Sequence, residues 1–353
     1  MRGVSYRPMA EFCMAGLIMA GSMLACTLVT VGDPNSPATG SLSRTSEELP
    51  NEGLLGTQSF PATLTPSPSP TVAPSATAPA WGWKQGVVVL SARLGGRLGI
   101  YAIDLEGDGQ LAVIVAPERN QAFRGSALSP DSGRVAYYLY GTRAEILDIA
   151  TGTVVETRQD CNSPTWSPDG KKVVCGTSSG GGSTFLIVDA ETGAALSVLD
   201  PQVSGAVIPA WSPTGAEVAF AALTQTYSSV WRSDWEGRTV ELASEGSENY
   251  APAWSPDGEW IAYQSRSGST DSEIWVMDRD GGRKRRLTTT TAGWSRAPTW
   301  SPDGRWIAFV SSQAGSIGAD YGELFAVSVE SGEMVQLTRT DGQVYDWRPW
   351  WGQ

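Results

Sequence analysis

Beyond Trp81 the apolar residues fall into short runs, and between the runs stand turns built from Ser, Pro, Asp and Gly. No stretch there keeps the 3.6-residue period of an amphipathic helix, so the pattern predicts strands and tight turns. Runs such as Trp306-Ile307-Ala308-Phe309-Val310 are apolar at successive positions. A strand buried on both faces reads this way, and a half-exposed strand does not. The turns carry their own logic. In Ser-Pro-Asp-Gly, Pro presets φ at the second position, Asp bonds the local backbone, and Gly takes the positive-φ place.

The runs repeat. "SPTWSPDGKKVVCG", "IPAWSPTGAEVAFAA", "APAWSPDGEWIAYQS" and "APTWSPDGRWIAFVS" are clear copies, and "GSALSPDSGRVAYYL" is a weaker one. The repeated Trp stands at 166, 211, 254 and 300, with Leu128 in its place in the weak copy, so successive copies lie 38 to 46 residues apart. That is the length of one propeller blade. Each copy supplies an inner strand, the Ser-Pro-Asp-Gly turn and a second strand. A third strand follows ("SEIWVMD", "STFLIVD"), then a turn ("RDGG", "AETG") and a fourth strand ("RKRRLTT", "EMVQLTR"). No such blade covers its own faces, so blades must stack around an axis.

Inner strands begin near 123, 163, 208, 251 and 297. Residues Gly86 to Val115 hold three strands with no inner strand before them, and the chain ends in "YDWRPWWGQ". There "RPWW" matches "APAW", with Pro349 at the repeated Pro and Trp351 at the repeated Trp. The expectation is an all-β, six-bladed propeller of four-stranded antiparallel blades, closed by the C-terminal strand pairing with the N-terminal blade. These repeats resemble the TolB-type propeller family over roughly Gly86 to Gln353, through W-S-P-D-G, the following I-A-F strand, the D-G-G turn and the L-T end. The resemblance implies an extracytoplasmic six-bladed propeller. TolB itself carries an α/β domain before its propeller, where this chain has a Pro-rich stretch instead.

Three segments follow: 1–26 as signal peptide or membrane anchor, 27–80 as a disordered tether, and 81–353 as the propeller. Arg2 and Arg7 precede an apolar run from Cys13 to Ala25, the layout of an export signal. "MLAC" resembles a bacterial lipobox, which implies lipidation at Cys26. An uncleaved anchor over Cys13–Val31 and plain secretion are the competing readings. All three place the propeller outside the cytoplasm, in the periplasm or at the cell surface. The tether, rich in Pro, Ser and Thr, cannot bury enough apolar surface to fold. Such a chain holds its cargo roughly 40 Å from the membrane.

Charge and missing residues narrow the chemistry. A net charge of -12 excludes a nucleic-acid partner and direct docking on anionic lipid, leaving the N-terminal anchor as the membrane contact. The chain has no His, which removes Ser-His-Asp and Cys-His nucleophiles and His-ligated zinc. "GTSSG" at Gly176–Gly180 imitates a nucleophile elbow but leads into a strand and has no His partner. "DLEGDG" at Asp104–Gly109 begins like a calcium loop, yet Val115 stands where the bidentate Glu belongs. No cofactor is expected, calcium there being the one open alternative. Arg283, Lys284, Arg285 and Arg286 read as a charge guard on an outer edge. Cys161 and Cys175 flank one Ser-Pro-Asp-Gly hairpin at nearly equal distances, which in an oxidising compartment makes them candidates for a disulfide, with two free thiols as the alternative.

Loops entering the inner strands converge at one end of the axis. They carry Arg119, Arg124, Asn162, Tyr250, Trp294, Arg296, Tyr345, Trp347 and Arg348, residue types that dominate binding hot spots. The favoured function is a monomeric, tethered, non-catalytic binding module for an envelope protein, peptide or glycan. The alternative is a carboxylate- or metal-dependent hydrolase, lactonase-like, with its site at the axis.

Overall fold

Six four-stranded antiparallel sheets contain all the strands of the computed structural model, and no helix occurs among its described residues. Those residues are 87–94, 97–105, 111–115, 123–139, 143–177, 183–223, 226–245, 248–266, 271–290, 293–312, 322–339, 344 and 349–351. The export signal, Cys26 and the tether lie outside them.

Blade 1 holds β1 (Val87–Leu94), β2 (Arg97–Asp104) and β3 (Leu111–Val115). Blade 2 is β4 (Phe123–Leu128), β5 (Arg134–Leu139), β6 (Ala144–Asp148) and β7 (Val154–Glu156). Blade 3 is β8 (Asn162–Trp166), β9 (Lys172–Gly176), β10 (Phe185–Asp189) and β11 (Ala195–Leu199). Blade 4 is β12 (Ala206–Trp211), β13 (Glu217–Leu223), β14 (Ser228–Asp234) and β15 (Thr239–Ala243). Blade 5 is β16 (Glu248–Trp254), β17 (Trp260–Arg266), β18 (Glu273–Asp278) and β19 (Arg285–Arg286). Blade 6 is β20 (Ser295–Trp300), β21 (Trp306–Ser311), β22 (Glu323–Ser328) and β23 (Met334–Gln336). The last strand, β24 (Trp350–Trp351), completes blade 1 as its inner strand, pairing Val88 with Trp351 and Val89 with Trp350.

The ring is therefore closed as the sequence predicts. Inner strands touch in a full circle, from β4 through β8, β12, β16 and β20 to β24 and back to β4. Val344, fully buried, bridges both Ala92 of blade 1 and Gly322 beside blade 6. Around it Leu90, Ile103, Val310, Leu324 and Trp351 form one continuous core between the last blade and the first. The second strands are buried along nearly their whole length, β21 being half-buried only at Trp306 and buried elsewhere. Blade-to-blade stacking is what buries them.

Two devices repeat from blade to blade. First, the residue before the inner-strand Pro has positive φ, Ser163 at 50°, Ile208 at 52°, Ala251 at 49° and Ala297 at 54°, and Gly125 at 75° takes the same place in blade 2, where Ser126 replaces the Pro. Each lies within a register skip of the inner strand, a β-bulge that bends the strand end. Second, the Leu-Thr end of the repeat is a latch. Thr288 Oγ1 accepts the Ile274 amide and donates to the buried carboxylate of Glu273; Thr338 does the same for Leu324 and Glu323. A fourth strand as short as β19 is held at its end by this side-chain bond.

Arg285 and Arg286 lie exposed on that outermost strand. Arg283 pairs with Asp278 and Lys284 with Glu245, so the basic cluster is tied into its own blade and the neighbouring one. Cys161 and Cys175 are joined, with Cα atoms 5.2 Å apart, inside the core shared by blades 2 and 3.

Candidate functional site

The repeated tryptophans act as staples. Trp166 Nε1 donates to the Ala127 carbonyl at 2.9 Å, Trp254 to Ala210 at 3.1 Å and Trp300 to Ala253 at 3.1 Å. Each bond crosses from one blade to the residue just before the repeated position of the preceding blade. A buried indole N–H needs an acceptor, and the repeat supplies the same one each time.

Two sectors depart from the rule. In blade 4, Trp211 is half-buried and turns to its own hairpin. It lies 4.6 Å from Trp235, and both indoles donate to the Gly215 carbonyl. In blade 2 the repeated Trp is Leu128, buried in the seam with blade 1. Trp350 packs against the cores on both sides of blade 2. It stands where the other inner strands have Ala or Thr, and it packs against the cluster that holds Leu128. The indole nitrogens of Trp350 and Trp351 are buried without an acceptor.

These residues wall a small funnel on the axis, open to solvent. All six blades contribute. Thr165, Ala210, Ala253 and Thr299 form the throat together with Trp350, and Trp166, Trp211, Trp254, Trp300 and Trp351 lie beside it. Pro130, Pro168, Pro213 and Pro256 of the turns form the lip. Within the Ser-Pro-Asp-Gly turns each repeated Asp accepts a bond from the Ser hydroxyl two residues before it: Asp131 from Ser129, Asp169 from Ser167, Asp257 from Ser255 and Asp303 from Ser301. The same Oδ1 accepts a backbone amide two residues on. The Ser hydroxyl holds the Asp131 and Asp169 carboxyls below the usual range. At Asp303 burial pushes upward, and the Ser301 hydroxyl with the Arg305 amide outweighs it. Blade 4 lacks this carboxylate, having Thr214 there.

The funnel lies at the turn end of the inner strands, whereas the predicted binding residues that the structure describes lie at the loop end. Asn162 and Tyr250 are half-buried, in the first halves of β8 and β16. Trp294 is 8 % exposed and packs in the seam between blades 6 and 1. Arg296 stacks over it at 4.4 Å and donates to Ser272 Oγ. Trp294 thus serves the ring closure and supports Arg296 from below. Arg124 lies in β4 beside the bulge at Gly125. Arg119, Tyr345, Trp347, Arg348 and Cys26 fall outside the described residues. Sequence reasoning missed the funnel because its walls are the structural Trp and Pro of the repeat. The signal was their recurrence at one end of every inner strand. Among the described residues no three carboxylate or cysteine side chains gather as a metal site.

Residues 193–351 match the family described as the TolB beta propeller domain. Over 113 residues the chain is 31 % identical to the Tol-Pal system protein TolB of Anaeromyxobacter dehalogenans, covering 32 % of this chain and 26 % of that one. The chain thus spans about a quarter of the length of the curated relatives it matches. Among solved structures it is similar to TolB from Acinetobacter baumannii, with a TM-score of 0.64 at 22 % identity over 76 % of this chain and 66 % of that one. A putative TolB from Agrobacterium tumefaciens gives 0.59 at 20 % identity, covering 75 % of this chain and 93 % of the other. At such identities the structural likeness establishes the fold. The chain carries a TolB-like six-bladed propeller.

Proposed function

We propose that the protein is an extracytoplasmic, membrane-tethered propeller that binds an envelope protein without chemistry of its own, at the axial funnel. The observation that carries this reading is the funnel itself. Its wall draws on every blade, with tryptophans from five of the six, in a ring similar to TolB of the Tol-Pal system. Concave walls that combine apolar side chains with a few polar groups are the usual form of a binding site. Lipidation at Cys26 and the 27–80 tether would hold the ring near the membrane while leaving it free to turn toward a partner.

The test uses the full chain in its native envelope, with a photo-crosslinking amino acid at Pro168 or Pro256 on the lip, at Tyr250 at the loop end, or at Leu196 on the outer strand β11. One discrete protein adduct from the lip positions alone is the expected result. An adduct from Tyr250 and not from the lip moves the site to the loop end. No adduct beyond that of Leu196 removes the binding-module reading. Incorporation of an alkyne fatty acid, lost in Cys26→Ala, checks the anchor.

A further inference from the structure

From the aromatic surface of blade 4, we infer that Trp211 and Trp235 form a docking ledge for the chain's own Pro-rich segment at residues 69–80, "SPTVAPSATAPA". The inference is independent of which partner the funnel takes.

This seam differs from the others. Three half-buried tryptophans, Trp211, Trp231 and Trp235, pack against the core shared by blades 3 and 4, and each of the other described cores has one. The rings of Trp211 and Trp235 lie 4.6 Å apart with their planes at 50°, a corner and not a flat stack. Both indoles donate to the Gly215 carbonyl, and Trp231 donates to Ser229 Oγ at 2.7 Å. With the N–H groups engaged, what these rings offer a ligand is carbon. Polar side chains beside them are committed as well: Arg232 pairs with Glu217 and Asp280, and Arg238 with Asp234. A glycan needs such groups for its hydroxyls, so the ledge favours an apolar occupant. A proline ring laid on an indole face meets that requirement.

Charge and topology select the occupant. Thr214 stands in the blade 4 turn where blades 2, 3, 5 and 6 have Asp. Residues 69–80 hold Pro70, Pro74 and Pro79 and no charged side chain, whereas Asp33, Arg44, Glu47, Glu48 and Glu52 charge the stretch before them. A Pro-rich segment is preset to an extended form and loses little entropy on docking. Val87 pairs with Asp104, which leads into the β2–β3 turn, and Val88 pairs with Trp351. The chain therefore enters the ring at the turn end, the end that carries Trp211 and Trp235. Blade 4 lies across the axis from blade 1. At the usual spacings of strands and sheets that crossing is on the order of 40 Å, and the chain from Pro74 to Val87 reaches about 43–47 Å when extended. Within one chain the segment meets the ledge at an effective concentration on the order of millimolar, so a weak contact suffices. Trp211 also lines the funnel, so the docked segment runs along the funnel's edge and shortens the free tether.

The experiment places a photo-crosslinking amino acid at Glu236, the exposed neighbour of Trp235, in the full chain in non-ionic detergent. Exposed Glu330, in the corresponding turn of blade 6, is the control position. Peptide mapping should find an adduct within residues 69–80 from Glu236, about tenfold above that from Glu330 and independent of protein concentration. Combining Pro70→Ser, Pro74→Ser and Pro79→Ser leaves the ring untouched, should keep its thermal midpoint, and should lower the adduct about tenfold. Trp235→Ala should lower it likewise, with a melting curve to show that the ring is folded. Equal adducts from Glu236 and Glu330 describe a tether that sweeps the surface, and they overturn the docking. So does an adduct that survives the three Ser substitutions, one whose yield rises with protein concentration and so comes from a second copy, or one to a co-purified glycan. No adduct from Glu236 overturns it as well. None of these outcomes touches the binding-module reading, which the crosslinking in the native envelope decides separately.

Discussion

Trp351→Ala tests the ring closure most directly. Trp351 is 8 % exposed, pairs with Val88 and packs in the core that joins blade 6 to blade 1. Replacing a buried Trp by Ala costs about 3–5 kcal/mol through lost transfer energy and the cavity left behind. A domain of this size shifts its midpoint by about 2–4 °C per kcal/mol, so a fall of roughly 6–20 °C is expected. Far-UV circular dichroism during heating reads the shift. Leu196→Ala, at a side chain 51 % exposed on β11, is the control and should change stability by less than about 0.5 kcal/mol. Deleting Val344–Gln353 should cost more than the point substitution, because it also removes the fully buried Val344. The reasoning is refuted if Trp351→Ala melts with the parent protein. In that case the two-residue strand β24 would be a passenger and blade 1 would be stable without it.

Further predictions concern the staples, the cysteines and pH. Trp254→Phe keeps the bulk but leaves the Ala210 carbonyl without its indole donor, at a cost of about 1–3 kcal/mol. Trp211→Phe should cost less, since Trp235 still donates to the Gly215 carbonyl; equal losses in denaturant titrations would contradict the staple assignment. Replacing Cys161 and Cys175 together by Ala opens a loop of 14 residues and should remove about 3 kcal/mol, while a reductant should no longer shift the melting point. The carboxyls of Asp131, Asp148, Asp169, Asp189 and Asp278 are held below their ordinary 3.8 by hydroxyl, amide or guanidinium bonds. The unfolded chain therefore binds protons first on acidification. Their stabilisation is complete above pH 3.8 and is lost as pH falls through the depressed values. Melting curves between pH 6 and 2 should show that decline, and a flat profile would count against it.

Much of the architecture was legible in the residues because a propeller repeats one local environment. The Ser-Pro-Asp-Gly turn, the apolar second strand and the recurring Trp are dictated by chemistry within a few residues, so each copy reports the same structure. Even the clasp could be read, since Pro349 and Trp351 match an inner strand that lacks a blade of its own. The loop-end candidates were harder. Trp294 stands outside the repeated position, which marks it as unusual, but only the seam with blade 1 shows that it is buried.

The order of strands, their number and the closing partner were thus determined by the sequence itself, through short-range turn chemistry and periodicity. What only the tertiary structure decided is where the sectors differ. Trp350 packs against the cluster that holds Leu128, more than two hundred positions away, and Trp211 turns to Trp235 in place of the staple bond. The funnel at the turn end arises from side chains that look purely structural one blade at a time. These features depend on contacts between blades, and such contacts are set by the closing of the ring, which no single repeat encodes.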